Sequence, residues 1–266
     1  MTISHQQNLH GYHALVTGGS RGIGLAIVRR LLQQGLRVSV AARSQNSLTL
    51  AQQSLVREGA DPSQLQFIVL DVCDETSVLA GFQQARHHFG AVQILVNNAG
   101  QASAAAFVKT SYADWQQMLN VNLNGSFLCS QQAVPDMLKH GWGRIINIAS
   151  TAALKGYPYV SSYCAAKHGV LGLTRALALE FANKGITVNA VCPGYTETDL
   201  LQGALQNIMA KTGRTEAAAR AELAAQNPQG QLIMPEQVAD AVAWLAQIQS
   251  SAMTGQAIAV AGGEVM

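Results

Sequence analysis

Tyr163 and Lys167 stand four positions apart in SSYCAAKHGV, residues 161–170. On a helix that spacing puts a phenol and an ammonium group on one face, able to point at one spot. A free tyrosine, with a pKa of about 10, exchanges its proton poorly near neutrality. An adjacent cation favours the phenolate and lowers that value by ~1–3 units. The pair therefore has the chemistry of a tuned acid that gives a proton to an oxygen or takes one from it. As a plain surface pair it would add only a few tenths of a kcal/mol, roughly.

Such a pair needs a frame, and the chain supplies a regular one. Short apolar runs at 12–18, 37–43, 65–72, 92–100, 143–150, 186–194 and 256–263 read as strands. Patterns with helical spacing fill the gaps, among them 22–35 and 47–59, each closed by a glycine. Strands that are apolar on both faces and separated by helices imply a parallel sheet covered on both sides. Right-handed crossovers then give an α/β, doubly wound sheet of about seven strands. No linker or composition shift divides the chain, so residues 1–266 read as one domain. Residues 198–234 are rich in Ala and Gln and carry no strand, so they read as a helical insertion forming a substrate lid.

The first strand runs into TGGSRGIG, residues 17–24. Gly18, Gly22 and Gly24 permit a tight turn, a close backbone approach and a free helix N-terminus, which attracts a pyrophosphate. Gly18, Ser20, Arg21, Gly22, Ile23 and Gly24 thus form a candidate cradle for a dinucleotide. A chain that prefers NAD usually ends its second strand on an acid that binds the ribose hydroxyls. Here Ala42 occupies that place and Arg43 follows it. With Arg21 in the turn, two guanidinium groups suit a 2′-phosphate, and NADP(H) is favoured over NAD(H).

Composition excludes other classes. A formal charge of +2 with no basic run longer than two residues gives no footprint for nucleic acid or an anionic membrane. No stretch of 18 apolar residues occurs, and the opening segment lacks the apolar core of a secretory signal. The four cysteines form no CxxC pair and no zinc-ligand cluster with histidine, so no metal is expected. A reduced, cytoplasmic location is expected. Charged residues make up only 12% of the chain, which suggests that part of the surface is covered by other subunits.

Taken in order, TGGSRGIG, DV (71–72), NNAG (97–100), NVNLNG (120–125), NIAS (147–150), YCAAK (163–167) and PGYTET (193–198) resemble the motif series of the short-chain dehydrogenase/reductase family. They span almost the whole chain, and their joint order and spacing are far more specific than any one alone. The resemblance implies a Rossmann-type fold and a role for each matching residue. Asp71 would face the adenine amino group, with Val72 supplying its backbone. Asn97 would brace the sheet, and Asn98, Ala99 and Gly100 would lie along the cofactor. Pro193, Gly194, Thr196 and Thr198 would line the nicotinamide side. Asn122 would hold a water in a proton relay, Ser150 would hydrogen-bond the substrate carbonyl, and Tyr163 would transfer the proton. Lys167 would grip the nicotinamide ribose and act on Tyr163. Members of this family are commonly tetramers paired through two long helices, here roughly 112–139 and 160–183, so a homotetramer is expected.

The resemblance implies a small-molecule carbonyl or alcohol as substrate. Residues 101–112, 151–160 and the lid would select it. The tail, NPQGQLIMPEQVADAVAWLA (227–246) followed by TGQAIAVAGGEVM (254–266), resembles the 3-oxoacyl-thioester reductase branch, which implies an acyl group carried on coenzyme A or a carrier protein. Lys211, Arg214 and Arg220 in the lid are candidate phosphate contacts, or else a solvated helix face. Tyr157 and Tyr159 are candidate walls for a bulky cyclic, aromatic or polyketide ketone, the second reading. A cofactor-binding regulator without turnover is the third, and the intact Ser150, Tyr163 and Lys167 count against it.

Overall fold

The computed structural model describes residues 8–266. Residues 1–7, part of the opening segment in which no secretory signal is expected, lie outside the described residues. The chain begins with β1 (His13–Thr17), α1 (Gly22–Gln33), β2 (Arg37–Ala42), α2 (Gln45–Arg57), β3 (Leu65–Val69), α3 (Glu75–Phe89) and β4 (Ile94–Asn97). It continues with α4 (Tyr112–Leu119), α5 (Gly125–His140), β5 (Gly143–Ile148), α6 (Ser161–Phe181) and β6 (Ile186–Pro193). Last come α7 (Asp199–Thr212), α8 (Glu216–Ala224), α9 (Pro235–Ala246) and β7 (Ala257–Val260). All seven strands join one sheet in the order β3-β2-β1-β4-β5-β6-β7, and every pairing is parallel.

The period of two along β1 shows how the layers form. Ala14 and Val16 point into the apolar core shared with α1 and α9, whereas Leu15 points into the core shared with α3 and α5. Both faces of the strand are thus dry, as its unbroken apolar run requires. Ser44, Asp74, Ser111 and Thr215 each accept a backbone N–H at the start of the helix beyond it. Gly35 ends the first helical unit in the left-handed region, at φ +82°.

The chain order reverses beside β1, where β2 and β4 leave in opposite directions. In an open parallel sheet a ligand binds beyond the C-terminal strand ends at that point. The β1–α1 turn and the β4–α4, β5–α6 and β6–α7 connections all open onto this edge.

Two details depart from the expected elements. Between α4 and α5 the helix widens into a π turn over Asn120–Asn124. The insertion expected to lack strand carries a single bridge, Thr196 to Ile233, at its base. Within it α7 and α8 pack on each other through Leu201, Leu205, Ala219 and Leu223. No helix among the described residues is long and apolar enough to cross a membrane, and no group of three metal-ligating side chains occurs among them.

Candidate active site

The glycine turn is held by its neighbour strand. Asn98 Nδ2 donates to the Thr17 and Gly18 carbonyls at 2.9 and 3.0 Å. The Asn98 and Ala99 amides both donate to Thr17 Oγ1 at 3.0 Å. The Asn98 side chain is therefore spent on holding the turn that would carry a cofactor. Gly18 sits at φ +63°, and a Cβ there would come within 2.9 Å of the Ala99 Cα. At Gly24 a Cβ would overlap the Gly18 carbonyl.

The start of α1 fits a pyrophosphate. Arg21 occupies the cap position with no side-chain hydrogen bond to the helix, and the first turn holds no acid. Thr198 closes this turn from the far side, its Cγ2 3.2 Å from where a Gly22 Cβ would stand. The adenosine end is open. Arg43 is exposed just past β2, and Asp71 anchors its own loop by accepting from the Cys73 amide at 2.9 Å. The neighbouring Val72 is buried under Gly125. Arg21 reaches Asp199 at the start of α7, with both side chains largely exposed and the ions 3.3 Å apart. Ser20 and Ile23 are half-buried in the turn. At the end of β6, Pro193 is buried, Gly194 donates to the Val260 carbonyl, and Thr196 and Thr198 fold back on their own loop.

The four candidate catalytic residues come from the π turn, the residues after β5, and α6, with Asn122 and Lys167 flanking Gly100 and Tyr163 lying between Lys167 and Ser150. A Cβ on Gly100 would lie 2.9 Å from Asn122 Oδ1 and 3.6 Å from Lys167 Nζ. Asn122 is buried on the π turn; it donates to the Gln101 and Met118 carbonyls at 3.0 Å and accepts from the Gln101 amide. Such widened turns recur at functional sites because they re-aim one side chain. Lys167 is buried and donates to the Ile148 carbonyl at 2.8 Å. Ser150 follows β5, accepts the Ala152 amide at 3.1 Å, and faces the Tyr163 hydroxyl.

The electrostatics correct one expectation. Part of the Tyr163 surface stays accessible, yet dense protein around its hydroxyl pushes its pKa up to about 12, with the Ser150 hydroxyl pulling the other way. Burial likewise lowers Lys167 to about 8. The ammonium lies 5.6 Å from the Tyr163 ring centroid and points at Ile148, so in this structure desolvation outweighs the tuning expected from the four-residue spacing.

The resemblance gave Asn97 a bracing role, but sequence reasoning missed the rest of the polar network beneath the site. Asn97 Nδ2 donates to Ser130 Oγ and Asn147 Oδ1, and Asn147 in turn donates to Thr174 Oγ1 at 2.8 Å. This line ties β4 and β5 to α5 and α6, the helices that follow Asn122 and carry Lys167. The double Asn of NNAG and the Asn of NIAS were its only signal. It also missed Arg144, 1% exposed, which donates to the carbonyls of Gly143, Gly185, Gln247 and Ile248. No acid pairs with Arg144 among the described residues, and burial lowers its pKa to about 10.

On the substrate side, Tyr157 and Tyr195 meet edge to face, with centroids 6.5 Å apart. The Ala105 amide donates to the Tyr159 carbonyl at 2.8 Å, and Tyr159 is held in the left-handed region at φ 67°. Two candidate walls are thereby stitched together. Two of the three lid cations are already neutralised: Arg214 pairs with Glu222, and Arg220 with Glu197 and Glu216. Lys211 makes no ion pair among the described residues.

This fold and this cluster define an oxidoreductase of C=O and CH–OH groups. The family model of the short chain dehydrogenases matches residues 12–208, and the chain belongs to that family. It is 39% identical over 252 residues to a ketoacyl reductase named for the monensin polyketide synthase of Streptomyces virginiae, covering 94% of this chain and 95% of that one. It is 37% identical to the 3-oxoacyl-acyl-carrier-protein reductase FabG of Pseudomonas aeruginosa, covering 97% of this chain and 99% of that one. A crystal structure of a variant actinorhodin polyketide ketoreductase with NADPH superposes with a TM-score of 0.91 at 37% identity, over 95% of this chain and 97% of that one. The chain is a short-chain oxidoreductase similar to ketoacyl reductases.

Proposed function

We propose that the protein reduces 3-oxoacyl thioesters to 3-hydroxyacyl thioesters with NADPH, and runs the reverse reaction as a dehydrogenase. The observation that carries this reading is the grouping of Asn122 and Lys167 at Gly100 with Tyr163 beside Lys167 and Ser150 facing Tyr163, at the C-terminal strand ends where the chain order reverses beside β1. NADPH, when bound, supplies the hydride. Gly18, Gly22 and the uncapped start of α1 would hold its pyrophosphate, and Arg21 and Arg43 its 2′-phosphate.

Tyr163 retains its proton throughout the neutral range, so it is loaded as the acid that protonates the new alkoxide oxygen. Ser150 donates a hydrogen bond where negative charge develops on that oxygen. Lys167 and Asn122 hold the route by which the proton on Tyr163 is replaced. The whole chain acts as one domain, with α7 and α8 as its lid, and assembles as a homotetramer in a reduced, cytoplasmic setting. The exposed Phe127 on α5 and Leu179 on α6 support the pairing of those helices.

A bulky cyclic or polyketide ketone is the second reading, favoured by the Tyr157–Tyr195 contact and by the neutralised Arg214 and Arg220. NADPH oxidation at 340 nm with acetoacetyl-CoA, beside a panel of cyclic and aryl ketones, separates the two. Preferred turnover of the thioester is expected. Turnover of the free ketones alone would transfer the assignment to the second reading.

A further inference from the structure

Glu264 lies beyond β7, 107 positions from Tyr157 in sequence, yet its side chain is only 1% exposed. It accepts the Tyr157 hydroxyl, and Lys155 Nζ stands 3.3 Å from the same carboxylate oxygen. Lys155 also donates to the Glu264 carbonyl at 3.4 Å and covers the Tyr157 ring at 4.9 Å. The other carboxylate oxygen rests on Gly194, 2.8 Å from where a Cβ would stand. A carboxylate this deeply buried is costly unless it is paired, and here the ammonium and the phenol both meet its Oε1.

The contacts run onward to the site. Tyr157 Oη lies 2.6 Å from Thr151 Oγ1. Since the phenol O–H donates to the carboxylate, the Thr151 hydroxyl is left to donate to the phenol oxygen. Thr151 is buried and directly follows Ser150, whose hydroxyl faces Tyr163. On its other side the Tyr157 ring meets Tyr195, which is close enough to Tyr163 to act on its hydroxyl. The residues preceding Glu264 reach the base of the α7–α8 insertion. Asn227 fills the space over Gly262, and Pro228 lies 3.3 Å from where a Gly263 Cβ would stand.

We propose that Glu264 is a positioning residue for the carbonyl substrate: through Tyr157 and Thr151 it fixes the wall that faces Ser150 and Tyr163. This rests on the carbonyl-reductase reading and adds a residue that sets its substrate fit. A bare anchor for the segment after β7 would use the same contacts, but its loss would act on stability and cofactor affinity alike rather than on substrate fit.

The test compares the full-length wild type with Glu264→Ala, Glu264→Gln, Tyr157→Phe and the Ala/Phe double variant. Steady-state kinetics with acetoacetyl-CoA and with a bicyclic ketone are measured beside NADPH titration by fluorescence and thermal melting. Glu264→Ala should raise KM about ten-fold, with kcat and NADPH affinity within about three-fold of wild type. Glu264→Gln, which still accepts the phenol proton, should recover most of that loss. Tyr157→Phe should match Glu264→Ala, and the double variant should be no worse than either alone. Unchanged KM, equal loss of KM fit, NADPH affinity and melting temperature, or additive single effects would overturn the proposal. Hydrogen exchange of residues 151–160 is read on the same proteins and needs no turnover. Faster exchange in Glu264→Ala supports the clamp even if wild type reduces neither carbonyl, an outcome that would sink the activity assignment alone. Unchanged exchange overturns the clamp.

Discussion

The edge formed by β1, β2 and β4 and the edge formed by β5, β6 and the segment after β7 face each other across the candidate site but are made of different material. The first is mostly backbone: glycines that nothing larger could replace, an uncapped helix start, and Asn98 holding the turn in shape. The second is mostly side chain: Tyr157, Lys155, Thr151, Tyr195 and Glu264, drawn from segments far apart in the chain. A backbone cradle suits a ligand that never changes, such as a pyrophosphate. A side-chain wall can be altered one residue at a time, which suits a substrate that differs between relatives of one family.

The comparison breaks most sharply at Gly24. Its Cβ would overlap the Gly18 carbonyl, and backbone there has no way to yield. Gly24→Ala should weaken NADPH by ~100-fold in a fluorescence titration while circular dichroism stays native. An affinity within two-fold of wild type would mean that the cradle is not rigid.

A second break tests the sheet beneath both edges. His13 is buried in β1, with Nδ1 2.9 Å from the Gly90 carbonyl and Nε2 2.9 Å from Ser39 Oγ. Burial lowers its pKa from 6.5 to about 4. Between those values the unfolded chain holds a proton that the folded chain refuses, so stability falls as pH falls through that window. The loss between pH 7 and pH 5 should be about 2 kcal/mol in urea unfolding, smaller in His13→Gln. An equal pH slope in both proteins would remove His13 as the cause.

The smallest effect belongs to Arg43. Arg43→Ala should weaken NADPH about ten-fold and NADH hardly at all, since only the former carries the 2′-phosphate. Equal losses for the two nucleotides would show that the arginine does not read that phosphate.

The same contrast explains what the sequence made legible. Strands dry on both faces, glycine-closed helices and the TGGSRGIG turn depend on local pattern, and the seven strands fall where the apolar runs lie. The positions of Asn122, Ser150, Tyr163 and Lys167 were legible through their motifs. Their electrostatics were not: whether Lys167 lowers Tyr163 depends on how much water both have lost, which no spacing records. The π turn was equally invisible, because NVNLNG continues an ordinary helical pattern. Arg214 and Arg220 looked available only while Glu197, Glu216 and Glu222 had no place in space. Glu264 had no signal at all, since its partners arrive by tertiary contact alone.

The central claim is that Tyr163 delivers the proton while the backbone cradle holds the cofactor independently of it. Wild type and Tyr163→Phe should be compared for NADPH oxidation with the best carbonyl substrate and for NADPH affinity by fluorescence. The account predicts that turnover falls by about 10²–10⁴-fold with affinity within two-fold of wild type. Turnover within ten-fold of wild type in the phenylalanine variant would contradict it.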